Sequence, residues 1–181
     1  MPDRRFGPLP RDQMTAEQRA VADTIASGPR AATTGLRGPF EALLRSPDLA
    51  DAAQRVGEHV RFCSALPRHL NELAILVTGA HWHAAFEVYA HTELAIDAGL
   101  DPAVAEAVGR GERPDLDADA AAVHDFARQL VTTGAVDDGV FAAVADRFGL
   151  EGAIDLVGTV GYYTLVSFVL NVDRYPVPEE E

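Results

Sequence analysis

The segment Glu72 to His91, ELAILVTGAHWHAAFEVYAH, concentrates the side chains best suited to chemistry. Read as helix at about 100° per residue, His83, Glu87 and His91 fall on one narrow face with Ala84, Leu94, Ala95 and Ala98. Surface helices carry ionisable residues opposite their apolar ones, so this stripe predicts a partly buried polar cluster. Desolvation raises the pKa of a carboxyl group in such a cluster, and a charged histidine lowers it. Groups of this kind are suited to proton transfer near neutral pH. A structural reading competes with it. Glu87 and His91, at i and i+4, can form a helix-stabilising pair worth a few tenths of a kcal/mol, and Glu72 can pair with Arg68 across one turn.

His81, His83, Glu87 and His91 also offer metal donors, but His83 and His91 on one helix would lie about 12 Å apart, too far for one ion. A facial triad would need Glu72 from another element, and nothing in the sequence demands it. No metal and no cofactor is expected. All 15 basic residues are arginine, so the chain has no lysine for a Schiff base, for pyridoxal phosphate or for a phosphate loop. Cys63 is the single cysteine, which excludes an internal disulfide, a dithiol couple and a four-thiolate zinc site, and fits a reducing cytoplasm. It is expected to pack as a small apolar residue.

The net charge of -13 argues against nucleic acid and anionic lipid as partners. The first 14 residues contain no apolar core of a secretory signal. Residues 153–172 are long enough to span a membrane, yet Asp155, Asn171 and paired tyrosines, glycines and threonines interrupt them. A buried helix is expected instead, in a cytoplasmic protein.

The elements that must position the cluster read as helices. Thr15 and Gln18 have capping-box spacing for a helix toward Ser27, followed by a Gly- and Thr-containing loop through Arg37, Gly38 and Pro39. Asp48 can cap a helix to about Phe62 with Leu49, Ala52, Ala53, Val56 and Val60 inward. Pro67 suits the first turn of the next helix, whose run Leu70 to Val77 is too continuously apolar for a surface position. A helix from His83 to Ala98 should stop at Gly99, a short one restart at Pro102, and another be capped by Asp117. Gly134 and Gly149 are further stops before the apolar helix of about 151–172. With no alternating β-branched run, the fold class is all-α, a multi-helical bundle.

Several short motifs, in this order, resemble the carboxymuconolactone decarboxylase family, related to alkylhydroperoxidase D. They are Gly38 to Phe40, Ser46 to Ala50 (SPDLA), Glu72 to Leu76 (ELAIL), His81 and Trp82, the Glu87/His91 pair, the AGL stop, and Gly161 to Tyr163 with Asn171. The likeness covers 39–172, which leaves 1–38 as an N-terminal helix and loop arm and 173–181 as an acidic tail. It implies the alkylhydroperoxidase D-like bundle and assembly as a trimer or hexamer. In alkylhydroperoxidase D a glutamate, a C-x-x-C pair and a histidine form a proton relay. Counted back from His91, the glutamate is Glu72 and the thiol positions are Ala84 and Glu87. Near the start of the ELAIL helix, where many relatives carry basic residues, this chain has His69 and Asn71.

The resemblance thus implies a thiol-less, cofactor-independent acid/base enzyme that decarboxylates or isomerises a small lactone-like or carboxylated molecule. His91, Glu87 and Glu72 are its catalytic candidates. His83, Tyr162, Tyr163 and Arg37 are candidate substrate contacts, with packing or a loop salt bridge as the alternative. The competing function is a non-catalytic oligomeric ligand-binding or scaffold protein. Because both thiol positions are occupied by other residues, Cys63→Ser is expected to leave any turnover unchanged. A peroxide-reduction rate that disappears in this variant would overturn the thiol-independent reading.

Overall fold

A computed structural model describes residues 4–29 and 36–178. The expected Gly- and Thr-containing loop falls largely on 30–35, outside the described residues, as do the first three residues of the arm and the last three of the tail. Among the described residues the chain forms eight α-helices and no strand. Helix α1 (Ala16–Ser27) opens on the expected capping box, with Gln18 N donating to Thr15 Oγ1 and Thr15 N to Gln18 Oε1. Helices α2 (Pro39–Leu43) and α3 (Pro47–Phe62) each begin with proline, where an absent N–H leaves no intrahelical bond unmade. Ser46, not Asp48, holds the N-cap position of α3; Asp48 sits inside the first turn, where a carboxylate complements the helix dipole.

Helices α4 (Arg68–His81), α5 (Ala85–Asp97), α6 (Pro102–Gly109), α7 (Ala118–Thr133) and α8 (Asp138–Asp173) complete the bundle. Asp101 and Asp117 cap α6 and α7 by accepting backbone N–H groups. Gly149, at φ 71° and ψ 178°, breaks α8 where a stop was expected, because that conformation belongs to glycine. The continuously apolar α4 is the centre of the molecule. Every residue from Leu70 to Gly79 is buried, and α4 packs on α5, α6, α7 and α8. Its two sides feed two apolar clusters. Leu73, Leu76, Phe126 and Leu156 lie in one, and Ile75, Phe40, Leu44 and Tyr163 lie in the other with α1 to α3. Fully burying one such leucine contributes about 1.5–3 kcal/mol.

The buried face of α3 differs from the expected one. Ala50, Ala53, Gln54, Gly57 and Val60 point inward, while Leu49, Ala52 and Val56 are exposed. Gln54 is tolerated inside, and Asn71 and Thr159 accompany it with a mutual hydrogen bond, so the sequence's polar residues mislead about which face is buried. Helix α8 carries a second apolar surface: Leu150, Ile154, Val157, Leu165, Phe168 and Val172 recur every three to eight residues and are all exposed. It is long and apolar enough to cross a membrane, but 56% of its most apolar window is buried inside the bundle. The arm and tail are joined to the body, with Arg4 pairing Asp173 at 2.6 Å and Tyr175 donating to Glu41 at 3.2 Å. Cys63 ends α3 and is exposed, contrary to the expectation that it packs in the core.

Candidate active site

Glu72 points from the middle of α4 toward α5, where it meets His91. The His91 Nδ1–H donates to Glu72 Oε2 at 2.6 Å, and His91 Nε2 lies 3.3 Å from Glu87 Oε2. Both ring nitrogens therefore face carboxylates. The three residues are 3%, 4% and 3% exposed in the order Glu72, His91, Glu87, so the cluster is shielded from bulk water. This settles the two local alternatives. Glu87 and His91 do pair across a turn of α5, whereas Glu72 pairs with His91, on the neighbouring helix, and not with Arg68.

The backbone between α4 and α5 explains the placement. Trp82 ends α4, and its carbonyl accepts Asn171 Nδ2 at 2.7 Å while its indole donates to Thr164 at 3.0 Å, which pins the turn to α8. His83 adopts φ 53°, in the left-handed region, and Ala84 becomes the N-cap of α5. Glu87 consequently sits in the first turn of α5, where the helix dipole favours a carboxylate. The helices meet closely here: a Cβ on Gly79 would stand 3.3 Å from Glu87 Cβ. Entry into α2 is equally tight, since Gly38 has φ 76° and a Cβ there would come within 2.8 Å of the Phe86 ring.

Burial pushes the Glu72 carboxyl up, but the charge and hydrogen bond of His91, followed by the charges of Arg61 and Arg68, more than offset it and hold it below the ordinary range. The Tyr163 phenol moves the other way. Burial raises it well above 10.0, Arg61 opposes, and Glu72, Glu87 and Tyr162 add to the rise, so Tyr163 is a neutral hydrogen-bond donor. Its ring stands edge-on to His91 at 5.0 Å and to Tyr162 at 5.2 Å.

A cavity of about 20 Å³ opens beside the cluster, lined by Arg37, Arg61, Glu87, His91, Tyr162 and Tyr163 with apolar walls from Phe40, Phe86 and Val166. Glu72 stands behind His91 and is not part of the wall. Five of the sequence candidates thus reach one cavity, with Glu72 supporting it. His83 does not. Because α4 stops at His81 and α5 starts only at Ala85, His83 is not on the helical face of Glu87 and His91; it is exposed and lines a separate cleft with His81, Tyr89 and Arg128. Among the described residues no group of three His, Cys, Asp or Glu side chains is gathered to hold a metal ion. Arg61 is the wall residue that sequence reasoning missed. Its signal was the spacing from Gln54 and Gly57, i+7 and i+4 on the buried face of α3, concealed by assigning Leu49 and Val56 to that face.

The architecture is similar to a crystal structure from Agrobacterium tumefaciens of a protein of unknown function described as a candidate AhpD-type antioxidant defence protein. The TM-score is 0.67 at 18% identity, over 80% of this chain and 100% of that one. The chain has the alkylhydroperoxidase D-like fold. No family model matches the sequence, and no curated protein matches it. Within this fold Glu72, Glu87 and His91 occupy α4, the first turn of α5 and the middle of α5.

A carboxyl held below its ordinary value stabilises the fold fully above the unfolded pKa near 4.5 and loses that contribution as pH falls through the lower folded value. Glu72→Gln is expected to flatten the acid limb of melting temperature against pH, and at neutral pH to melt no more than a few degrees lower, as for a change of about 1 kcal/mol. Parallel acid limbs for parent and variant would show that Glu72 is not an ionised partner of His91.

Proposed function

We propose that this protein is a cofactor-independent acid/base enzyme of the carboxymuconolactone decarboxylase type, acting in the cytoplasm on a small lactone-like or carboxylated molecule. The observation that carries the reading is His91, buried between two carboxylates, with Glu87 and His91 on the wall of a cavity. Glu72 fixes the tautomer and orientation of the imidazole by accepting the Nδ1–H, which leaves Nε2 to exchange a proton with Glu87 or substrate. Glu72 is therefore a positioning residue. In a decarboxylation the bond from carbon to the departing carboxylate breaks, its electron pair enters a conjugated carbonyl of the substrate as an enolate, and the Glu87/His91 pair protonates the carbon. An isomerisation uses the same pair to remove one proton and return it elsewhere. The neutral Tyr163 phenol suits hydrogen bonding to the enolate oxygen.

Turnover on a panel of small lactones and unsaturated acids, with detection of the products, tests this. His91→Ala should lower the rate about a hundredfold or more, with Glu87→Gln close behind. Glu72→Gln added to His91→Ala should cost little more, because members of one relay are not additive. If Glu87→Gln unfolds the protein while His91→Ala retains full activity, the pair is structural.

A non-catalytic ligand-binding or scaffold role is the second reading; the cavity's size of about 20 Å³, space for one water, favours its scaffold form. Ligand-dependent melting without turnover distinguishes it. In either case the protein is a homo-oligomer, a trimer or hexamer. The exposed apolar stripe of α8, with Ile154 64% and Phe168 45% exposed, supports this, because such a surface is stable in water when a second copy covers it. Sedimentation should show an oligomer at micromolar concentration, dissociating in Ile154→Glu; a monomeric parent overturns the assignment.

A further inference from the structure

Of the described arginines, Arg61 stands out by a buried Nε that makes no hydrogen bond. Arg4, also half-buried, commits its guanidinium to Asp173 and Glu41. Arg61 forms no hydrogen bond or ion pair with any described residue; its guanidinium carbon lies 5.1 Å from the neighbouring Phe62 ring, and its charge acts on Glu72 and Tyr163 from beyond ion-pair distance. Its Nε is buried with no hydrogen-bond partner. A buried donor left unpaired costs about 1–3 kcal/mol, more when charged, so a ligand that bonds to this group would recover that cost.

The surroundings hold the Arg61 backbone in place all the same. Asn71 Nδ2 donates to the Val60 carbonyl at 2.7 Å, and Asn71 Oδ1 accepts from Thr159 at 2.8 Å, which ties the last turn of α3 to α4 and α8. Asp155 accepts Ala65 N at 2.8 Å and meets His59 Nε2 at 3.0 Å, fixing both sides of the same turn. From this fixed stretch of backbone Arg61, with its Nε unbonded, lines the same cavity wall as Glu87, His91 and Tyr163. The wall and its support balance two carboxylates, Glu72 and Glu87, against two guanidiniums, Arg61 and Arg37.

We infer that Arg61 is the substrate-anchoring residue of this cavity, taking the carboxylate of a small organic anion opposite the Glu87/His91 pair. The forked N–H groups of arginine match the two oxygens of a carboxylate, and the contact is stronger at a shielded site than in water. The inference rests on the acid/base reading for the chemistry after binding, but anchoring itself is measured without turnover.

Acetate and acetamide, alike in shape and different in charge, are the probes, and NMR titration of the His91 ring signals in the full-length protein is the readout. Acetate should shift these signals and bind about tenfold or more tightly than acetamide. Arg61→Gln should abolish that preference, while Arg61→Lys, which keeps the charge without the fork, should retain part of it and serves if the Gln variant folds poorly. Arg128→Gln, in the separate cleft, should change nothing. Equal binding of the two probes, no acetate-dependent shift, or an unchanged acetate affinity in folded Arg61→Gln or Arg61→Lys would overturn the anchoring role. Loss of the preference in Arg61→Gln together with full turnover in His91→Ala would instead retain the anchor and overturn the relay.

Discussion

A carboxylate inside a protein must be paired, and Glu72 is placed within the most buried helix of the bundle. The 2.6 Å hydrogen bond to His91 answers that requirement, and much of the architecture depends on it. It fixes how α5 lies against α4, which brings Glu87 to the second ring nitrogen. The turn between the two helices is then constrained enough that His83 takes a left-handed backbone conformation and Asn171 and Thr164 of α8 bind Trp82. Replacing the pair by apolar groups of similar volume would cost little stability. The pair is best understood through what it positions.

What it positions is an imidazole with both nitrogens engaged and one edge toward a cavity. The same low-polarity setting that strengthens the Glu72 contact keeps Tyr163 protonated, so one environment holds a carboxylate ionised and a phenol neutral. Opposite shifts in neighbouring groups arise because burial, the largest influence on both, is outweighed at Glu72 by His91 and the arginine charges and is reinforced at Tyr163 by Glu72, Glu87 and Tyr162. Acid, base and donor roles can then coexist within a few ångströms. The polar ties at the far side of the cavity, Asn71 to Val60 and Asp155 to Ala65, serve the same end by fixing the turn that carries Arg61.

The surface repeats the division of labour seen inside. The face of α8 that packs on α4 and α7 completes the core, and its opposite face displays isoleucine, leucine and phenylalanine to solvent. The polar interruptions of this helix, Asp155, Thr159 and Ser167, are buried, and many of its large apolar residues lie outside. Such an inversion is intelligible if both faces are covered in the assembled protein.

The sequence by itself determined the helical class, most caps and stops, the centrality of α4 and the pairing of Glu87 with His91. These are carried by local signals: the capping box at Thr15, the caps at Asp101 and Asp117, the stop at Gly149, the unbroken apolar run from Leu73 to Val77, and the four-residue spacing of Glu87 and His91. Tertiary structure decided the rest. Whether Glu72 pairs with Arg68 or His91 depends on how α5 folds back, which one-helix spacing does not contain. His83 left the shared face because two helices, not one, cross that stretch, and the break is enforced by packing of the Trp82 turn on α8. The buried side of α3, and with it Arg61, was hidden because Gln54 and Gly57 face inward while Leu49 and Val56 face out. Hydrophobic periodicity reports which residues tend to avoid water, but a helix with apolar residues on two sides offers two candidate faces, and only the neighbouring elements determine which one closes the core.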